Sequence, residues 1–182
     1  MSLGEPNVLG IAMGTSEAVG YVDQDQQVLG WINELAFAPV DLNEDAMQDE
    51  WSTDFGVGCK YFSQDAVIKL APRAGIELDE TLSPAEKLKV VQALMAKDDP
   101  RAAKIFSDIG KYLAYTVALY AQYYDLKHLM LLGRVMSGKG GDTILRVCNE
   151  ILADEYPELA AKCTVTLPDE KMRRVGQSVA AA

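Results

Sequence analysis

Histidine occurs once in the chain, at His128, and cysteine three times, at Cys59, Cys148 and Cys163, widely spaced and odd in number. That spacing makes neither a zinc site nor a disulfide framework, and it suits reduced thiols in a cytosolic protein. Cations are also short. Seventeen Lys and Arg stand against 27 Asp and Glu, for a formal charge of -10 and an isoelectric point near 4.5. This balance disfavours direct nucleic-acid binding and attraction to an anionic membrane, and any anionic ligand must be held by a local device. Long apolar runs are missing too. The longest uncharged stretch near the start, Pro6 to Ser16, is broken by Gly10 and Gly14 and has no basic leader. It is neither a signal peptide nor a membrane span, and a cytoplasmic location is expected.

What remains is ample for a core. With 182 residues, 49% of them hydrophobic and 24% charged, the chain reads as a single domain over 1–182, and collagen, disorder and disulfide-miniprotein classes are out. Asn7 to Met13 is a short apolar run too rich in glycine for a helix, and it reads as a buried strand. Glu17 to Asp23 and Gln27 to Ile32 flank a polar Gln24-Asp25-Gln26 turn, so three antiparallel strands are expected to open the chain. Residues 43–127 read as an irregular segment plus a helical insertion. Within it, Ser83-Pro84-Ala85-Glu86 carries a capping serine, a proline at the first helical position and a glutamate three residues after the cap. Asp99-Pro100 opens a second helix whose Ile105, Ile109, Leu113, Val117 and Tyr120 form an apolar stripe. His128 to Val135 is the next strand. It is followed by a glycine loop from Ser137 to Gly141, a helix carrying Ile144, Leu145, Cys148, Ile151 and Leu152, a short strand from Cys163 to Leu167, and a final helix from Val175 to Ala182. The order implies an α/β fold, a mixed five-stranded sheet covered by helices.

Two glycine clusters stand out. Gly14-Thr15-Ser16 sits where one strand turns back into the next, and such a loop can offer backbone N–H groups and two hydroxyls to a phosphate without a basic residue. A plain hairpin turn has the same sequence. The second cluster, Gly133 to Gly141, lies between a strand end and a helix start, where open α/β sheets place ligands. It is neither a P-loop nor a dinucleotide fingerprint. Arg134 or Lys139 could pair with a phosphate or stack on a base, and a bare glycine turn with two solvated cations is the simpler alternative. Glu34, with Asn33 before it, follows the third expected strand and either faces a cleft or is a surface carboxylate. His128 reads as a strand-edge residue. Tyr112, Tyr115, Tyr120, Tyr123 and Tyr124 read as packing groups. Asp41, Glu44, Asp45, Asp49, Glu50 and Asp54 read as a solvated acidic stretch that leaves a divalent cation possible.

The element order, with small glycine motifs after the first and fourth strands, resembles the carboxy-terminal lobe of the actin-like ATPase superfamily, an RNase H-like fold, and within it the ROK family of sugar kinases and sugar-responsive repressors. Gly14-Thr15-Ser16 is similar to that family's second phosphate motif, and Leu132-Gly133-Arg134-Val135 to its adenosine motif. Asn33-Glu34-Leu35-Ala36-Phe37 lies where the family has Gly-Glu-x-Gly-His, and Asp54 to Cys59 near its Gly-x-x-Gly-Cys segment. The resemblance implies phosphate binding at Gly14, Thr15 and Ser16. It implies adenosine binding at Gly133, Arg134, Ser137, Gly138, Gly140 and Gly141, and substrate contact at Asn33 and Glu34. ATP and Mg²⁺ would be the cofactors, a small sugar the acceptor, and a homodimer the assembly.

The departures from that family matter as much. Phe37 stands in place of its histidine and the zinc knuckle is reduced to Cys59, so no structural zinc is expected. The Asp-x-Gly-Gly-Thr loop and the catalytic aspartate of the family's amino-terminal lobe are not in this sequence, so no residue here is expected to be catalytic and a competent kinase is not expected from this chain alone. Met1-Ser2-Leu3 reads as a leader, and a fragment is expected. Two functions follow: the nucleotide-binding lobe of a ROK-like carbohydrate kinase, or a non-catalytic sugar-sensing or oligomerisation module of a regulator. An RNase H-like nuclease is disfavoured because the first strand carries no aspartate for metal-assisted cleavage.

Overall fold

The computed structural model of the chain describes residues 4–28 and 34–168. Four strands make up its sheet: β1 (Val8–Met13), β2 (Glu17–Val22), β3 (His128–Leu132) and β4 (Thr164–Thr166). Their order is β2-β1-β3-β4, with β2 antiparallel to β1 and the other neighbours parallel. The expected five strands are therefore four among the described residues. Of the third expected strand, residues 29–32 lie outside the described ones, and Val28 makes a lone antiparallel bridge to Val22. The expected helix from Val175 to Ala182 lies outside them as well.

Alternation along the central strands puts Leu9, Ile11 and Met13 of β1 and Leu129 and Leu131 of β3 on one fully buried face, as a period of two requires. Among the described residues five α-helices come after the β1–β2 pair: α1 (Gln64–Arg73), α2 (Pro84–Ala96), α3 (Pro100–Tyr120), α4 (Gly138–Glu155) and α5 (Pro157–Lys162). The starts of α2 and α3 follow their sequence signals. Glu86 accepts the Ser83 backbone N–H at 2.9 Å, and Asp99 accepts that of Arg101 at 2.9 Å. The α3 stripe from Ile105 to Tyr120 is core, at most 2% exposed, packed on α4 and the sheet.

α1 is absent from the sequence reading. Its signal was there in Ser63, whose hydroxyl accepts the Asp65 N–H at 3.2 Å, but Pro72 near its end disguised it. The Ser137–Gly141 loop is also revised, because α4 already begins at Gly138.

The acidic stretch is the larger correction. Asp41 and Asp49 are buried, not solvated. Asp41 accepts hydrogen bonds from Tyr61 at 2.6 Å, Tyr112 at 3.1 Å and Asn43, which outweigh its burial and hold its carboxyl below the usual value. Asp49 is anchored by Ser52 and by Lys60, whose buried ammonium also meets Glu50 at 2.5 Å and Asp65 at 2.8 Å. Burial alone would lower the Lys60 pKa. The three carboxylates reverse that and raise it. One ammonium thus ties two points of the irregular segment, Asp49 and Glu50, to Asp65 of α1, and the acidic sequence is the counter-charge that lets it be buried.

Two outcomes follow. Lys60→Met leaves Asp49 buried without its cation and should lower stability by about 3 kcal/mol in urea unfolding. Hydrogen bonds from Lys60 and Lys69 depress Glu50 to about 2, and Asp49 lies lower still, chiefly through the Ser52 backbone N–H. Their contribution is complete above the ordinary carboxylate range and is lost as pH falls through the folded values. The urea midpoint should therefore drop on acidification below about pH 4.5, and drop less steeply in Lys60→Met. Gly133 adopts φ +97°, and a Cβ on it would overlap the Met13 backbone. Gly133→Ala should accordingly cost about 3 kcal/mol or more by the same measurement.

Candidate functional site

β1 and β3 are parallel neighbours, so both deliver their carboxyl ends to one edge of the sheet. Each end carries one of the glycine clusters, and the two meet. Gly133 lies against the Met13 backbone, and the Arg134 guanidinium donates to the Thr15 hydroxyl at 3.4 Å. The junction lies at the carboxyl ends of the strands where chain connections diverge, β1 turning back into β2 while β3 runs on into α4, which is the position at which open α/β sheets form a ligand-binding crevice.

In the first cluster, Gly14 donates to the Ser16 carbonyl at 3.0 Å and accepts from the Gln64 N–H at 2.9 Å, which docks the start of α1 beneath the loop. Thr15 and Ser16 are exposed, and among the described residues neither backbone N–H has an acceptor outside the strands. Two amides and two hydroxyls therefore face solvent beside one guanidinium. In the second cluster Ser137 precedes α4 without capping it by its side chain, and the exposed Gly138 and Lys139 begin this 18-residue helix at the same edge.

The predicted residues of this cluster divide. Gly133 and Arg134 border the crevice, Ser137 and Gly138 are exposed at the mouth of α4, and Gly140 and Gly141 are buried. A Cβ on Gly140 would strike the Phe106 ring, and one on Gly141 the Met136 carbonyl. These two glycines let α4 pack closely. Lys139 is paired with Asp98 at 2.7 Å.

Glu34 is exposed and opens a short 3-10 turn, Leu35–Phe37. Asn33 lies outside the described residues. Phe37 packs on the exposed ring of Trp51, with centroids 5.7 Å apart. This turn sits on the start of β2 through a residue that sequence reasoning missed. Glu17, directly after the Gly14–Ser16 loop, is 6% exposed, and neither carboxyl oxygen has a hydrogen-bond partner. Burial pushes its pKa up to about 8. The only other such orphan among the described residues is the side-chain oxygen of Gln64, so both buried unpartnered groups flank the same loop. Native proteins leave few such groups, and they tend to mark functional places. A signal for Glu17 existed: in EAVGYV a period of two puts it on the inward face with Val19 and Tyr21.

Of the remaining candidates, Tyr123, expected to pack, is instead 77% exposed; others have structural partners. His128 lies 3.8 Å from Glu5 at the start of β3. Tyr115 donates to Glu155, and Tyr120 donates to the Leu35 carbonyl. All three cysteines are buried and free, and burial pushes the Cys59 thiol up to about 11. Among the described residues no three His, Cys, Asp or Glu side chains gather as a metal requires, and no helix is long and apolar enough to cross a membrane.

The sequence matches no family model and no curated protein. Solved structures do match. A ROK family transcriptional regulator, a homologue of the E. coli Mlc protein, superposes with a TM-score of 0.70 at 17% identity, over 91% of this chain and 42% of its own. A ROK family glucokinase from Streptomyces griseus, solved with glucose and AMPPNP, gives 0.67 at 16% identity, over 90% of this chain and 56% of its own. ROK hexokinase from Thermus thermophilus gives 0.67 at 16% identity, over 92% and 53%. The chain thus spans about half the length of each. At such identities the likeness is one of fold, and the chain shares with part of these ROK family structures a mixed sheet covered by helices.

Proposed function

We propose that this chain is the nucleotide-binding carboxy-terminal lobe of a ROK-like carbohydrate kinase. The observation that carries the reading is the meeting of the two glycine clusters at the carboxyl ends of β1 and β3, joined by Arg134 and Thr15. The residues there fit a nucleotide. In a chain of charge -10 the phosphates would be met by the Thr15 and Ser16 amides and hydroxyls and by Arg134. The ribose and base would lie toward Gly133, Ser137 and Gly138, over the start of α4. ATP would supply the transferable phosphoryl group, and Mg²⁺ would arrive with its phosphates, as is usual for that ion.

This lobe's own part is to bind and orient. The paired strands fix the two clusters relative to each other, Gly133 lets the backbones approach, and the turn bearing Glu34 presents a carboxylate to acceptor hydroxyls. No group in this lobe is assigned the role of base, so phosphoryl transfer needs residues beyond it. We include in the proposal that 1–182 folds as one domain, that the protein works in the cytoplasm, and that two copies pair. Because the α3 stripe is consumed by the core, pairing would use another surface.

A second reading, a sugar-sensing module of a ROK-like regulator, is favoured by one feature. Phe37, with its ring on exposed Trp51, offers a stacking face where the resemblance implies a histidine. It predicts sugar binding without nucleotide.

Calorimetry with ATP-Mg²⁺ separates the two. The kinase reading expects binding in the millimolar range or tighter, weakened roughly tenfold in Arg134→Ala by loss of a charge-assisted hydrogen bond. Absence of binding, also in a chain lengthened at its amino end, overturns it. Sugar binding alone in that experiment supports the regulator.

A further inference from the structure

Glu17 is the one buried acid among the described residues with both oxygens unpartnered, and its surroundings define what its proton does. Its carboxyl lies against the Cα of Gly58, close enough that a Cβ there would collide with it, and the Leu35 carbonyl crowds the same point. Gly58 donates in turn to the Ala38 carbonyl at 3.0 Å. Among the described residues the other bonds of the turn from Glu34 to Ala38 are Phe37 N–H to the Glu34 carbonyl, Ala38 N–H to the Leu35 carbonyl, and the Tyr120 hydroxyl to the Leu35 carbonyl at 3.4 Å. The carboxyl therefore sits beneath this turn, beside Gly58.

We propose that Glu17 is a proton-linked positioning residue: neutral, it lets the Glu34–Ala38 turn rest on β2, and ionised, it drives that turn off the sheet. An ionised carboxylate is acceptor-only and costly to bury, and among the described residues no donor reaches it. The groups facing it are the Cys59 thiol, following Gly58, and the Tyr120 hydroxyl of α3. β1 contributes the apolar Met13 opposite it. The nearest cation in sequence to that turn, Lys60, is committed to Asp49, Glu50 and Asp65. The charge must therefore be hydrated, and one side has to yield. The sheet side is pinned by the Met13–Glu17 pairing and by Gly14 bonded to Gln64, whereas the other side is a single 3-10 turn. Since that turn begins at Glu34, the proton on Glu17 would set the distance between Glu34 and the Gly14–Ser16 loop. The inference does not rest on nucleotide binding, because the turn reports it directly.

The sign follows from linkage. The pKa is raised in the folded state, so the stabilising neutral form is free of penalty below about 4.5. The penalty for keeping it grows as pH rises and levels off above the folded value near 8. The test is amide hydrogen exchange at Phe37, Ala38 and Gly58 between roughly pH 6 and 9.5, corrected for the intrinsic base-catalysed rate, in the wild type and in Glu17→Gln. In the wild type, protection should fall about tenfold or more with a midpoint near 8, while the glutamine variant, which cannot ionise, should keep it throughout. Flat protection in the wild type, or an equal fall in both proteins, overturns the proposal. Should Glu17→Gln fail to fold, the carboxyl carbon of Glu17 followed by NMR in the wild type decides. Titration in step with the three amides supports the proposal, and titration at an ordinary carboxylate value refutes it. Calorimetry with ATP-Mg²⁺ is unaffected by either result, so the two readings fail separately.

Discussion

The backbone contact between Gly133 and Met13 is what the rest of the crevice depends on. β1 and β3 pair in parallel over five residues, and at the end of that ladder the chain must leave β3 and turn toward α4 without striking the end of β1. A residue with a side chain would push the two strand ends apart, and φ of +97° would strain it further. With glycine there, the Arg134 side chain comes over Thr15 and the two clusters share one edge. Gln92 of α2 reinforces the arrangement by donating to the Arg134 carbonyl at 2.8 Å. The crevice is thus a consequence of strand pairing, and its ligand-facing groups are those that pairing leaves over.

The irregular segment solves a different problem. Between β2 and α1 the chain has almost no regular backbone pairing, yet it must hold Gly58 and the Leu35–Phe37 turn against the sheet. It does so with buried charge: Asp41 collects the hydroxyls of Tyr61 and Tyr112, and Lys60 collects three carboxylates. Such pairs add little net stability compared with an apolar core, but they are directional and penalise any arrangement that separates them. Leu42, Trp51 and Phe55 are exposed on the outside of this frame, while Met47, Tyr61 and Phe62 join the hydrophobic core, so buried charge and apolar packing together hold the segment. Glu17 is the exception, a buried acid with no such frame.

Much of the fold was legible. Local rules sufficed for β1, β2 and β3, for the caps of α2 and α3, and for the α3 stripe, because periodicity and capping are short-range properties read a few residues at a time. The two glycine clusters were legible as motifs for the same reason. The partnership of residues far apart in sequence was not. Nothing near Asp41 indicates Tyr112, 71 positions away, and a run of acids looks solvated until the buried ammonium among them is known. Gly140 and Gly141 looked like ligand-facing glycines because a glycine's reason is its neighbour, here Phe106 and the Met136 carbonyl.

By itself the sequence determined the short-range facts: strands β1 to β4 and helices α2, α3 and α4, but not α1 or α5, that the acidic chain must hold an anion with amides and at most one or two cations, and that Gly14–Ser16 and Gly133–Arg134 follow strand ends. Tertiary structure decided what those facts amount to. It set the parallel pairing that joins the clusters, took Gly140 and Gly141 into the core and turned the acidic stretch inward around Lys60. It also buried Glu17 beneath the turn that carries Glu34. The physical reason is that propensity and periodicity act within a few residues, whereas burial and charge compensation depend on which surfaces meet, and here they meet across as many as 119 residues between Thr15 and Arg134.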